Sequence, residues 1–131
     1  MSRDVRILLV DDQPDFVETI SFWMKTKGYQ VTSAPDGPGA MDTLKKNSFD
    51  VVFVDFKMPG MNGVEALQKI REFNKTIPVI MVTAHADDAM VHQIKDLNIS
   101  GFFSKMSDYK ELERVFKAVL SSIQKTDRPS A

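Results

Sequence analysis

Val51-Val52-Phe53-Val54-Asp55 is the stretch that decides the fold. Four apolar residues, β-branched or aromatic, run without a polar break and stop at a carboxylate. A strand with one wet face alternates apolar with polar residues. An unbroken run this short belongs to a strand buried on both faces, and such strands make parallel sheets. Ile7-Leu8-Leu9-Val10 and Val79-Ile80-Met81-Val82 have the same character. Weaker strands are expected at Gln30–Ala34 and Gly101–Ser104.

Helical patterns fill the intervals. Phe16, Val17, Ile20, Trp23 and Met24 mark an apolar face after Pro14, a residue suited to a first helical turn. Gly28 is placed to close that helix. Ala40, Met41 and Leu44 mark a second helix, with Pro38 near its start. Val64, Leu67 and Ile70 mark a third, and Ala89, Met90, Ile94 and Leu97 a fourth. Leu112, Val115, Phe116, Val119 and Ile123 mark a fifth, opened by Asp108 with Glu111 three residues later. Strand and helix alternate five times. That order predicts an α/β fold: a single-domain, doubly wound, five-stranded parallel sheet with right-handed crossovers, flavodoxin-like strand order 2-1-3-4-5 and five flanking helices. The domain is expected over residues 1–124. Residues 125–131 lose periodicity and read as a tail or the start of a linker.

The whole chain limits what such a domain can do. Its 131 residues suffice for one core without staples. With no cysteine, thiolate catalysis, disulfides and cysteine-based metal sites are excluded. A formal net charge of −1 gives no basic field for nucleic acid or an anionic membrane. The first apolar run breaks at Asp11-Asp12, too soon for a transmembrane helix and wrong for a signal peptide. A cytoplasmic location is expected.

In a doubly wound sheet, ligands bind beyond the carboxyl ends of the strands, at the switch point between strands 1 and 3. The first run is followed there by Asp11 and Asp12, the third by Asp55, the fourth by Thr83 and the fifth by Lys105. Singly, each has an ordinary explanation: a turn, a helix cap, a surface lysine. Their joint arrival at one edge makes a site. Three carboxylates about 5 Å apart repel by roughly 3 kcal/mol per pair at an effective dielectric near 20. A divalent cation removes that cost. All-oxygen ligands select Mg²⁺ or Ca²⁺, and Mg²⁺ favours few carboxylates plus waters and a phosphate oxygen. Asp is already ionised near neutral pH, so it can attack without a general base. Mg²⁺, Lys105 and the Thr83 hydroxyl would then stabilise a transferred phosphoryl group.

At these residues the sequence resembles the receiver domain of bacterial response regulators. Asp11-Asp12, the segment Asp55-Phe56-Lys57-Met58-Pro59-Gly60-Met61-Asn62-Gly63, Thr83-Ala84 and Lys105 match in order and spacing, and the likeness covers roughly residues 5–124. The resemblance implies that Asp55 is the phosphoacceptor and that a sensor histidine kinase or phosphotransfer protein donates from a phosphohistidine. It implies Mg²⁺ held by Asp12, Asp55 and the backbone carbonyl of Lys57, with Asp11 acting mainly through water. Thr83 would hydrogen-bond the phosphoryl group, Lys105 would pair with it, and Phe102 stands at the family's switch aromatic. An effector or second copy would meet the surface of the fourth helix, fifth strand and fifth helix, roughly residues 87–123. Such a domain catalyses only its own phosphorylation and dephosphorylation and is not an enzyme in the ordinary sense.

One position departs from the family. Met106 follows Lys105 where proline with a cis bond is usual. A cis bond before a non-proline residue costs about 3–4 kcal/mol, so a trans Lys105–Met106 bond and an altered loop are expected. His85 and His92 read as solvent-facing, with a tuning role for the Lys57 and His85 positions as the minor alternative. Phe102 fits core or switch. Met90 reads as core. Two other functions stay open. A pseudo-receiver binding module would lack an acidic residue or the lysine, and none is missing. An Asp-nucleophile phosphatase would want a second Asp two residues past the first, where this chain has Lys57.

Overall fold

The computed structural model describes residues 5–58, 60–84 and 98–126, with side chains described as far as Ser121. The five expected strands are all present and all parallel: β1 (Arg6–Val10), β2 (Gln30–Ala34), β3 (Val51–Asp55), β4 (Val79–Thr83) and β5 (Gly101–Ser104). They lie in the order β2-β1-β3-β4-β5. Every residue of β3 and β4 is buried, as their unbroken apolar runs require. Only Ala34 of β2 is buried, because β2 is an edge strand.

Alternation along the strands divides the core in two. Leu8, Val10, Val52, Val54, Val79 and Met81 point to one face. There they meet Ala40 and Leu44 of α2 (Gly37–Lys46) and Leu67 and Ile70 of α3 (Gly63–Phe73). Ile7, Leu9, Val51, Phe53, Ile80 and Val82 point to the other. Ile20 and Met24 of α1 (Pro14–Thr26) cover that face, together with Leu112, Phe116 and Val119 of the C-terminal helix (Tyr109–Thr126). Phe116 packs edge-on against Phe53, centroids 5.5 Å apart. The helix expected on Ala89, Met90, Ile94 and Leu97 lies outside the described residues, as do His85 and His92.

The helix ends follow local chemistry. Pro14 opens α1, and Gly28 follows it at φ +91°. The Asp36 side chain caps α2 by accepting from Gly39 N–H. α3 begins with a full capping box: Asn62 accepts from Glu65 N–H at 2.9 Å, and Glu65 accepts from Asn62 N–H at 3.0 Å. Asp108 accepts from Glu111 N–H at 3.1 Å ahead of the C-terminal helix. Arg71 ties the far end of α3 to the sheet, donating to the carbonyls of Ile77 and Asn98, each at 2.7 Å. No helix among the described residues is long and apolar enough to cross a membrane. The arrangement leaves the ends of β1, β3, β4 and β5 side by side at one sheet edge.

Candidate functional site

Strand register brings the predicted residues together. Val10 pairs with Val54, Asp55 with Val82 and Thr83 with Ser104. The residues that follow these pairs therefore share one edge. Asp11, Asp55 and Thr83 are the buried polar or charged side chains among the described residues, each at most 4% exposed. One oxygen from each of Asp11, Asp12 and Asp55 lies within 4.8 Å of the others. Asp12 is the most open of the three.

The electrostatics of this cluster are unbalanced. Burial, followed by the charge of Asp11, pushes the Asp55 carboxyl up to about 6. Lys105 and a hydrogen bond from the Lys57 backbone pull the other way without restoring it. The Asp11 Oδ1 atom accepts from Gln13 N–H at 2.9 Å. Its Oδ2 is buried and accepts no hydrogen bond. Lys105 Nζ stands 2.9 Å from that oxygen, so the contact is an ion pair whose angles do not make a hydrogen bond. A buried carboxylate oxygen without a hydrogen bond, beside two further carboxylates, is a donor set with spare coordinating capacity. Hard oxygen donors at this spacing fit a divalent cation such as Mg²⁺.

Lys105 reaches the cluster from the end of β5, with its side chain 10% exposed. Its Nζ donates to Asp55 Oδ2 at 3.4 Å and also to Gln13 Oε1. It lies 4.5 Å from the centroid of the Phe16 ring. The backbone N–H of Lys105 donates to the Thr83 carbonyl at 2.7 Å, fastening β5 to β4 beside the site. No cis peptide bond occurs among the described residues, so Lys105–Met106 is trans, as expected. The loop uses the N–H that a proline would lack: Met106 N donates to Ser104 Oγ at 3.1 Å, and Ser107 N to the Ser104 carbonyl at 3.0 Å. The Met106 side chain is 76% exposed.

The remaining predicted positions are less central. The Lys57 side chain points to solvent, and its backbone faces Asp55. Phe102 pairs with Met81 and packs, half-buried, against the α2–α3 side of the core. Two residues at the site escaped sequence reasoning. Gln13 and Phe16 hold Lys105 across a long separation in the chain, and the only local signal was a Gln at a helix start where Ser, Asp or Asn would cap better.

Comparison with known proteins agrees with this fold. The family model described as "Response regulator receiver domain" matches residues 7–117. Sporulation initiation phosphotransferase F of Bacillus subtilis is 33% identical over 115 residues, covering 88% of this chain and 93% of that protein. The probable transcriptional regulatory protein TcrX of Mycobacterium tuberculosis is 32% identical over 90% of this chain, which spans only 50% of TcrX. Among solved structures, chemotaxis protein CheY4 of Vibrio cholerae superposes with a TM-score of 0.85 at 27% identity, covering 89% of this chain and 99% of that one. Response regulator TrrA of Thermotoga maritima, in complex with Mg²⁺ and a beryllium fluoride, superposes at 0.77 with 27% identity, covering 88% and 98%. The chain belongs to the response regulator receiver domain family, the receivers of two-component systems.

Proposed function

We propose that Asp55 is the phosphoacceptor of this receiver. The observation that carries the reading is a buried carboxylate at the end of the central strand, within 4.8 Å of the Asp11 and Asp12 carboxylates and 3.4 Å from the Lys105 ammonium. The donor is a phosphohistidine on a sensor histidine kinase or phosphotransfer protein. An Asp55 carboxylate oxygen attacks phosphorus, the phosphorus–nitrogen bond breaks, and the imidazole leaves with the bonding pair. The product is an acyl phosphate on Asp55.

Asp12, Asp55 and the Lys57 backbone carbonyl are the direct ligands proposed for Mg²⁺, with Asp11 completing the site mainly through water. When bound, Mg²⁺ neutralises the carboxylates and the phosphoryl oxygens as charge builds on them. The beryllium fluoride complex of the Thermotoga relative supports this choice of ion. Lys105 balances the negative charge from the β5 side. Thr83, buried at the end of β4, is proposed to hydrogen-bond the phosphoryl oxygens. A groove of about 540 Å³ opens beside Lys105, lined partly by Phe16, Thr19 and Tyr109.

Phosphorylation adds negative charge at an already acidic edge. We propose that this repositions the Thr83 end of β4 and draws Phe102 further into the α2–α3 core, biasing a surface around residues 87–123 toward an effector or a second copy. The receiver unit is taken as residues 1–124, with 125–131 a tail or linker, acting in the cytoplasm. It processes its own phosphoryl group and turns over no external substrate.

The test is to incubate the protein with Mg²⁺ and a small acyl phosphate and measure the intact mass. One added phosphoryl group is expected, absent in Asp55→Asn and absent with a chelator. No adduct on the wild type would sink the reading. Steady phosphate release from unrelated phosphate esters would point to a phosphatase instead.

A further inference from the structure

Gln13 occupies the N-cap position of α1, yet its side chain makes no capping hydrogen bond. Gln is not among the residues that cap well. The backbone at this point is held by Asp11, whose Oδ1 accepts from Gln13 N–H at 2.9 Å. The Gln13 side chain is thereby left for another partner. It reaches across the sheet edge to Lys105, and its Oε1 accepts from Nζ. The Phe16 ring, one turn further along α1, offers its face to the same ammonium at 4.5 Å. Lys105 is thus shared between two neutral groups of α1 and two carboxylates, Asp11 and Asp55.

We propose that Gln13 is a positioning residue that holds the Lys105 ammonium on the α1 side, so that Asp11 and Asp55 can be yielded to a divalent cation. The inference rests on the cation site proposed above. Lys105 and Mg²⁺ compete for the same oxygens: an ammonium 2.9 Å from Asp11 Oδ2 occupies space and charge that the cation needs. When the carboxylates turn to the cation, Gln13 Oε1 and the Phe16 ring are the described partners left to the ammonium. The Gln13 hydrogen bond therefore tightens as the competing carboxylates leave, and counts for more in the cation-bound state than before it. With Gln13 Oε1 removed, the polar contacts described for Nζ are the carboxylates themselves. The cation must then displace Lys105 from its remaining polar partners.

The experiment is calorimetric titration of the full chain with MgCl₂. Gln13→Met keeps the side chain's length and removes the acceptor. Because the Gln13 side chain caps nothing, the variant is expected to fold, and urea denaturation checks that it does. A hydrogen bond to a charged group is strong enough that Gln13→Met should weaken Mg²⁺ binding by about threefold to tenfold. In a Lys105→Met background the same change should have no effect, since no ammonium remains to be held. Unchanged Mg²⁺ affinity in Gln13→Met overturns the proposal, and so does a loss that persists without Lys105. A wild type that binds no Mg²⁺ overturns the cation site itself and this inference with it. The wild-type titration therefore separates the two failures.

Discussion

Asp55 carries the highest electrostatic cost at the site. Its carboxyl is pushed up to about 6, first by burial and then by Asp11. In the unfolded chain the same group titrates near its ordinary value of 3.8. The folded state therefore holds the proton more tightly, and the stability this lends is fully present below the lower value. It is lost as pH rises toward and through 6. One pKa unit is about 1.4 kcal/mol, and water on the open side of the site trims the effect to on the order of 1–2 kcal/mol. Without Mg²⁺, urea denaturation should show wild-type stability falling by that amount between pH 4 and 7 relative to Asp55→Asn. Added Mg²⁺ should restore the wild type at pH 7 and leave Asp55→Asn less affected. Parallel pH profiles for the two proteins would mean that Asp55 is not strained by its surroundings.

The β3–α3 connection sets where that carboxylate sits. Gly63 opens α3 directly above the end of β3, and its N–H donates to the Phe56 carbonyl at 2.6 Å. A Cβ at Gly63 would lie 2.6 Å from both the Asp55 carbonyl oxygen and Phe56 Cα, which are backbone atoms with little room to yield. Gly63→Ala should therefore destabilise the fold by about 1–3 kcal/mol. Because the strain falls on the Asp55 backbone, it should also slow phosphorylation by a small acyl phosphate. Urea denaturation and the labelling rate check the two effects, and an unchanged protein would show the approach to be looser than drawn. Much at this scale was legible in advance. The runs at Ile7–Val10, Val51–Val54 and Val79–Val82 are strands because no polar residue interrupts them, and Pro14, Gly28 and Asp108 mark helix ends as their chemistry requires. The Asn62–Glu65 capping box was just as readable but was not picked out at the start of the third helix. The Gln13–Lys105 contact was not readable, since its partners are 92 residues apart and meet only through the sheet order. Nor was the state of Asp55 readable in full, because it depends on burial and on Lys105 reaching past Asp11.

At the scale of the whole molecule, the two apolar faces and the acidic edge follow from one topology. Covering both faces of a parallel sheet buries every side chain of β3 and β4, so polar chemistry is confined to the strand ends. The order β2-β1-β3-β4-β5 sets β1 beside β3, and so gathers Asp11, Asp12 and Asp55 at neighbouring strand ends. β5 adds Lys105 from one side, and its Phe102 faces the α2–α3 core. A charge change at Asp55 is thus one strand away from β4 and two from β5, through a ladder that ties Thr83 to Lys105 at 2.7 Å. The most direct test of this account is a crystal structure of the chain with Mg²⁺ and beryllofluoride. One beryllofluoride is expected on an Asp55 carboxylate oxygen, with Mg²⁺ ligated by Asp12, Asp55 and the Lys57 carbonyl, Asp11 close by, and Lys105 Nζ turned toward the fluorides. Beryllofluoride on another carboxylate, or Mg²⁺ bound away from Asp11, Asp12 and Asp55, would contradict it.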